Sequence, residues 1–282
     1  MQIYTTIQPL QRTVDAWRSQ GQRIVFVPTM GGLHEGHLSL IKQASLKADK
    51  VVVSIFVNPT QFGKNEDFDQ YPNSLDQDVA LLEQHQVDGL FTPSVNQVYP
   101  QGLDGGIKAG ELGDILCGAS RPGHFDGVVQ VVHRLFDIVK PDTAIFGQKD
   151  YQQLLLIRQM ASQYFPTLEV LSQATVRERD GLAMSTRNQY LSIRERKIAP
   201  YLYSVLLQVK QDYLKGVPVK VLTNVANSTL TESFKMDYLQ VLDANTLKQI
   251  TDNTSKIAIL CAVFLGSTRL IDNIIFTKDK HV

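Results

Sequence analysis

Residues 23–57 restrict the fold more than any other part of the chain. Arg23-Ile24-Val25-Phe26-Val27 is an apolar, β-branched run that stops at Pro28-Thr29-Met30-Gly31-Gly32. A second run, Lys50-Val51-Val52-Val53-Ser54-Ile55-Phe56-Val57, stops at Asn58-Pro59-Thr60-Gln61. Short continuous runs ended by Gly or Pro suit strands buried on both faces of a parallel sheet. Between them, Leu38, Leu40, Ile41, Ala44 and Leu46 give residues 36–48 a helical pattern. The order strand, turn, helix, strand closes as a right-handed crossover.

The pattern repeats downstream. Residues 76–85 predict a helix, 88–92 a strand, 126–139 a helix closed by Pro141, and 143–147 a strand. Asp150 can cap a further helix reaching Gln163. This alternation, through about residue 175, predicts an α/β fold with a doubly wound, Rossmann-like parallel sheet. Residues 99–113, polar and Gly-rich, predict loop with short strands. After Arg177, long helical patterns at 193–215 and 218–234 precede apolar runs at 236–241 and 257–264. They predict a second, smaller α+β domain, so the expected division is 1–176 and 177–282.

A chain of 282 residues can form both cores. Its 28 basic and 28 acidic side chains balance, so no overall field draws it to nucleic acid or anionic lipid. Cys117 and Cys261 form no CxxC pair, which suggests neither a disulfide framework nor a structural zinc site. Residues 1–20 mix polar residues with apolar ones at helical spacing and lack the apolar core of a secretory signal. No apolar run approaches the ~18 residues of a membrane span. The expectation is a cytoplasmic globular protein.

The densest chemistry lies at Pro28-Thr29-Met30-Gly31-Gly32-Leu33-His34-Glu35-Gly36-His37, where the first strand hands over to a helix. Doubly wound sheets bind ligands there, and glycines with free N–H groups at a helix start attract phosphate. His34 and His37, three apart, share a helix face and can donate to phosphate oxygens. The helix terminus disfavours imidazolium and a triphosphate favours it, so the sequence leaves their protonation open. Metal ligation is the alternative, but no third ligand stands nearby and HxxxH is the usual zinc spacing on a helix.

Four further stretches could contribute. Residues 177–188 form a small basic loop in which Ser185 and Thr186 offer hydroxyls and Arg187 a fork; taken alone it could be a solvated linker. Gly147-Gln148-Lys149-Asp150-Tyr151-Gln152-Gln153 places Lys149 as a phosphate point charge and Asp150 as a cap or a nucleotide hydroxyl acceptor. Asn58 and Gln61 could bind a small carboxylate or hydroxy acid. Arg121 and His124 could be anion contacts, or ordinary loop residues, and Cys117 near them is a packed or a reactive thiol. No P-loop, GxGxxG or Gly-x-Ser-x-Gly signature occurs.

His34-Glu35-Gly36-His37 resembles the HxGH signature of the nucleotidylyltransferase and class I aminoacyl-tRNA synthetase superfamily. Met184-Ser185-Thr186-Arg187-Asn188 is similar to that superfamily's KMSKS-type loop. The longer strings around residues 28–40, 53–62, 120–128, 146–153 and 180–191, with Thr268-Arg269-Leu270-Ile271-Asp272-Asn273, resemble the pantoate–β-alanine ligases over nearly the whole chain. The resemblance implies an ATP-dependent ligase that activates pantoate as an acyl-adenylate and joins it to β-alanine. It implies that His34, His37, Lys149 and Arg187 are catalytic. Met30 to His37 (Met30, Gly31, Gly32, Leu33, His34, Glu35, Gly36, His37), Gly147, Gln148, Lys149, Asp150, Val176, Met184, Ser185, Thr186 and Arg187 would bind ATP. Gln61, Gln153, Asn58 and Met30 would bind the acids, magnesium would accompany the nucleotide, and the protein would be a homodimer. In this picture residues 1–176 bind ATP and pantoate and residues 177–282 act as a lid. Thr186 stands where relatives often have Ser, Gln148 fills a variable place, and Cys117 sits where some relatives carry Glu. No carboxylate cluster marks a magnesium site, and Asp78 is a weak candidate. Rival readings are a nucleotidylyltransferase acting on a phosphorylated acceptor, a class I tRNA synthetase, and an inactive nucleotide-binding scaffold.

Overall fold

The computed structural model describes residues 1–64, 66–72, 74–103 and 106–278. They form two compact units, the described residues of 1–148 with 152–174, and those of 149–151 with 175–278.

The first unit is built on six parallel strands in the order β1-β4-β3-β2-β5-β6. These are β1 (Gln2–Tyr4), β2 (Ile24–Thr29), β3 (Lys50–Ile55), β4 (Gly89–Phe91), β5 (Thr143–Gly147) and β6 (Glu169–Gln173). The helices in chain order are α1 (Ile7–Ser19), α2 (Glu35–Ser45), α3 (Leu75–Gln84), the single turns α4 (Val95–Val98) and α5 (Cys117–Ser120), α6 (His124–Val139) and α7 (Tyr151–Tyr164). Successive residues of a strand face opposite sides. Val25 and Val27 of β2, with Val51, Val53 and Ile55 of β3, therefore meet Leu38, Ile41 and Ala44 of α2. Phe26 faces the other way and meets Phe136 of α6 edge to face, ring centres 6.4 Å apart. Both faces are covered, which explains why these strands read as unbroken apolar runs.

Chain order runs outward from β2 through β3 to β4 on one side, and through β5 to β6 on the other. The reversal lies between β2 and β5, so the loops leaving their carboxyl ends flank the switch point, the usual ligand position of an open α/β sheet.

The second unit carries an antiparallel sheet of β7 (Lys235–Asp243), β8 (Lys256–Leu265) and β9 (Thr268–Thr277). Leu202, Leu206 and Val209 of α9 (Tyr201–Leu214) and Leu222, Ala226 and Leu230 of α10 (Val219–Thr231) close a core with Ile257, Ile259, Cys261 and Val263 of β8. The predicted α/β sheet with a smaller α+β part is thus found.

Four details differ from expectation. Residues 2–4 form an edge strand paired with β4; three residues are too few to interrupt a helical pattern visibly. The helical stretch 193–215 is two helices, α8 (Ile193–Ile198) and α9, with Ala199 and Pro200 between them. Proline has no N–H to continue the first helix but starts the second well. Residues 99–113 contain the 3-10 turn Glu111–Gly113 and no strand among the described residues. β9 carries no clear alternation, because both its faces are partly covered.

Candidate active site

The loop after β2 turns twice through left-handed backbone, Gly31 at φ 86° and Gly32 at φ 63°, a conformation that costs other residues a Cβ clash. The turn points the N–H groups of Gly32 and Leu33 inward, at one group. Asp78 of α3 accepts both, 2.9 Å from Gly32 to Oδ2 and 2.8 Å from Leu33 to Oδ1. Its residue is buried at 2% exposure. Burial raises the Asp78 pKa above its usual value, and the Leu33 and Gly32 bonds partly oppose that rise. These two N–H groups of the turn before the helix are therefore engaged within the protein. A protein carboxylate fills them, because a buried carboxylate without partners would be far costlier.

α2 starts with the two histidines capping each other's turn. His34 is the N-cap, in extended backbone, and its Nδ1 accepts from Gly36 N at 3.0 Å. His37 Nδ1 accepts from His34 N at 3.3 Å. An Nδ1 that accepts a backbone N–H carries no proton, so both rings are placed as Nε2–H tautomers. The rings lie 4.2 Å apart, tilted by 40°. Two imidazole Nε2–H donors thus stand together at the carboxyl end of β2. Glu35 between them is exposed.

After β3, the 3-10 turn Pro59–Gln61 packs on α6. Asn58 is 1% exposed and commits its whole amide here. Its Oδ1 accepts from Tyr99 Oη at 2.9 Å and Thr60 Oγ1 at 3.0 Å. Its Nδ2 donates to Gly127 O at 3.1 Å and Gln61 Oε1 at 3.2 Å. Gln61 Nε2 in turn donates to Met30 Sδ at 2.9 Å. Asn58, Gln61 and Met30 are therefore brought together, with Asn58 as the hub beneath the Gln61 amide. Burial raises the Tyr99 pKa, opposed by its bonds to Thr60 and Asn58, which keeps it a phenol donor.

Arg121 and His124 do not stand as anion contacts in an open pocket. Arg121 Nε donates to Glu66 Oε1 at 2.6 Å, and its Nη2 to the Gln61 carbonyl at 3.3 Å. His124 Nδ1 also donates to that carbonyl, at 2.8 Å, and its Nε2 meets Arg121 Nη1 at 2.9 Å. Burial alone would raise the Glu66 pKa, but the Arg121 bond and charge outweigh it and hold the carboxyl below its usual range. The two side chains thus clamp the Gln61 backbone. Cys117 is a buried thiol in no disulfide.

Gly147 ends β5, and Gln148 Nε2 donates to Ser172 Oγ of β6 at 3.2 Å. Gln153 is half-buried on α7. These belong to the first unit.

The remaining predicted residues belong to the second unit. Lys149 Nζ lies 4.0 Å from Asp150 Oδ1. Val176 and Met184 are neighbours across a tight hairpin, with Met184 N donating to Val176 O at 3.0 Å and an isolated bridge joining Arg177 to Ala183. Ser185 caps the 3-10 turn Thr186–Tyr190, its Oγ accepting from Arg187 N at 3.3 Å. That bond uses a lone pair and leaves the hydroxyl proton out of it. Thr186 is buried.

The described residues contain no group of three or more His, Cys, Asp or Glu arranged to hold a metal ion. Asp78, the candidate from sequence, has both oxygens engaged by backbone N–H, so the donor set does not fit a protein-held magnesium. Sequence reasoning missed Asp78's role as loop anchor, and also Tyr99 and Glu66, which sit in no local motif; Gly127 lay within the 120–128 string but was given no role.

Comparison with known proteins adds an independent line. The family described as Pantoate-beta-alanine ligase matches residues 2–275. A pantothenate synthetase of Vesicomyosocius okutanii is 58% identical over 280 residues, covering 99% of each chain. One from Ruthia magnifica is 55% identical over 278 residues, covering 99% of this chain and all of the relative. The crystal structure of pantothenate synthetase from Thermus thermophilus superposes with TM-score 0.89 at 40% identity, covering 97% of this chain and 99% of the other. That of pantoate-beta-alanine ligase from Francisella tularensis, complexed with beta-gamma ATP and beta-alanine, gives TM-score 0.82 at 40% identity, covering 99% and 98%.

Proposed function

Because the chain belongs to the pantoate–β-alanine ligase family, we propose that it catalyses a two-step ligation through an enzyme-bound pantoyl-adenylate. A pantoate carboxylate oxygen attacks the α-phosphorus of ATP, the α–β phosphoanhydride bond breaks, and pyrophosphate leaves. The amine of β-alanine then attacks the acyl carbon, the acyl–oxygen bond to AMP breaks, and the nitrogen gives up a proton as the amide forms. Neither step needs a protein nucleophile, so alignment and charge stabilisation supply the catalysis.

One observation carries this reading: paired Nε2–H donors of His34 and His37 lie in the same unit as the neutral Gln61 amide beside Met30. Imidazole N–H groups suit phosphate oxygens, with His37 as the hydrogen-bond donor at the reacting phosphate. Neutral amides suit a hydroxy acid, whereas an enzyme acting on a phosphorylated acceptor needs cations there. Gln61 and Gln153 hold pantoate, Met30 and Asn58 support them, and Gln61 also meets β-alanine. Residues 30–37 and 147–150, Val176 and residues 184–187 line the ATP site. Lys149 and Arg187 neutralise the phosphates beside Ser185 and Thr186. The Francisella relative, solved in complex with beta-gamma ATP and beta-alanine, supports both ligand classes. Residues 1–176 serve as the ATP- and pantoate-binding part and 177–282 as a lid that shields the mixed anhydride from water. Magnesium enters with the nucleotide. We place the enzyme in the cytoplasm as a homodimer on family membership, and sedimentation of the purified chain tests the latter.

The deciding experiment measures AMP and pyrophosphate release from MgATP with pantoate and β-alanine, singly and together. Sustained AMP release that requires both acids, with pantothenate formed, supports the ligase. No turnover with both acids, but nucleotidyl transfer to a phosphorylated acceptor, overturns it.

A further inference from the structure

Asp272 and Asn273 stand side by side in β9, 3% and 5% exposed. Buried polar groups need partners, and theirs lead away from the core. Asp272 forms a two-pronged pair with Arg177, Nη1 to Oδ2 at 2.6 Å and Nη2 to Oδ1 at 2.9 Å. The Arg177 guanidinium also stacks 3.5 Å above the Tyr203 ring and donates to Gly181 O at 3.1 Å and Asn273 O at 3.3 Å. Asp272 Oδ1 accepts the Asn273 N–H at 2.7 Å. Asn273 is thereby held from both its N–H and its carbonyl. Its side chain then donates, Nδ2 to the backbone carbonyl of Lys149, at 2.8 Å. Tyr151 Oη adds a second tie, to Ala244 O at 2.9 Å. Lys149–Tyr151 accordingly belong to the second unit, although the sequence around them belongs to the first.

We infer that Asn273, oriented by the Asp272–Arg177 pair, is a positioning residue that sets where Lys149 presents its charge during adenylation. The inference rests on Lys149 as a phosphate contact. Lysine is a point charge on a flexible four-carbon stem, so its aim depends on where its backbone is held. The same Arg177 fixes the hairpin that leads to Ser185 and Arg187. The backbone of both cations proposed to meet the triphosphate is therefore tied to one scaffold before substrate arrives, the condition under which charge stabilisation costs least reorganisation.

The test is single-turnover pyrophosphate release with MgATP and pantoate, by wild type, Asn273→Ala, Lys149→Ala and the double variant, with thermal unfolding measured alongside. Asn273→Ala should slow release about ten- to a hundredfold while leaving the KM for pantoate within about twofold. In the Lys149→Ala background it should cost nothing more, because residues acting through one another are not additive. Asn273→Ser, whose hydroxyl is too short to reach the Lys149 carbonyl, carries the same expectation and stands in if the alanine variant does not fold. Rates within about twofold of wild type, or an equal loss repeated on top of Lys149→Ala, overturn the inference and leave the ligase reading intact. A wild type that releases no pyrophosphate, or a Lys149→Ala variant as fast as wild type, sinks the reading of the site and the inference with it.

Discussion

Asp78 carries more of the site than its place in the sequence indicates. It closes the Gly31–Leu33 turn with both carboxylate oxygens, and that turn delivers His34. Asn has the same shape but only one acceptor, and it turns an amide toward an N–H. Asp78→Asn should lower pyrophosphate release at least about tenfold, the scale of a misaligned catalytic group. The expected stability change is small, under about 2 kcal/mol, because losing a buried charge offsets part of the lost hydrogen bond. Full activity would show that the histidines do not depend on this anchor. Glu66 supplies a pH prediction. Its folded pKa lies below the ordinary value, so its pairing with Arg121 stabilises fully above the ordinary glutamate pKa, about 4.3. That contribution fades as pH falls through the lower folded value. The difference in unfolding free energy between wild type and Glu66→Gln should be flat from neutrality down to about pH 5, then shrink. Its neutral-pH size should be about 1 kcal/mol, since a quarter of the Glu66 side chain is exposed and the pair is screened. A difference that grows on acidification would contradict the pairing.

At the scale of elements, the meeting of α6 with the Pro59–Gln61 turn fixes the Gln61 amide that is proposed to hold pantoate. A Cβ on Gly127 would overlap the Thr60 carbonyl and crowd Gln61 N, and the Gly127 carbonyl receives Asn58 Nδ2. Gly127→Ala must push the turn away from the helix. It should lower stability by about 1–3 kcal/mol, the usual cost of overpacking. It should also raise the KM for pantoate more than that for ATP, read from initial rates with each substrate varied. Equal rises in both would mean that the helix does not set this amide in particular. The elements themselves were largely legible: β2, β3 and β5 announced themselves as apolar runs because both their faces are covered, and α6 because its apolar stripe is wide. β1 and β9 were not. Three residues leave no periodic signal, and β9 interleaves its core residues with the polar pair that anchors Lys149.

Among the described residues each unit has a core, one built on the parallel sheet and one around β8 with α9 and α10. Neither includes a metal cluster among the described residues. Chelation with EDTA should therefore abolish turnover, by withdrawing magnesium from ATP, while moving the unfolding temperature by less than about 2 °C. Excess magnesium should restore activity. A large drop in unfolding temperature would instead reveal a metal bound by the protein itself.

From the chain alone came the order of most strands and helices, the glycine turn after β2, and the residue types proposed for phosphate and for a small acid. These are local properties, set by periodicity and by neighbours within one or two turns. The tertiary structure alone decided which polar groups remain available. The Gly32 and Leu33 N–H groups go to a carboxylate about 45 residues away. Arg121 and His124 serve the Gln61 carbonyl 60 and 63 positions back. Lys149 hangs from Asn273 across 124 positions. No local pattern encodes such pairings, because each exists only where folding buries a donor and must supply it an acceptor.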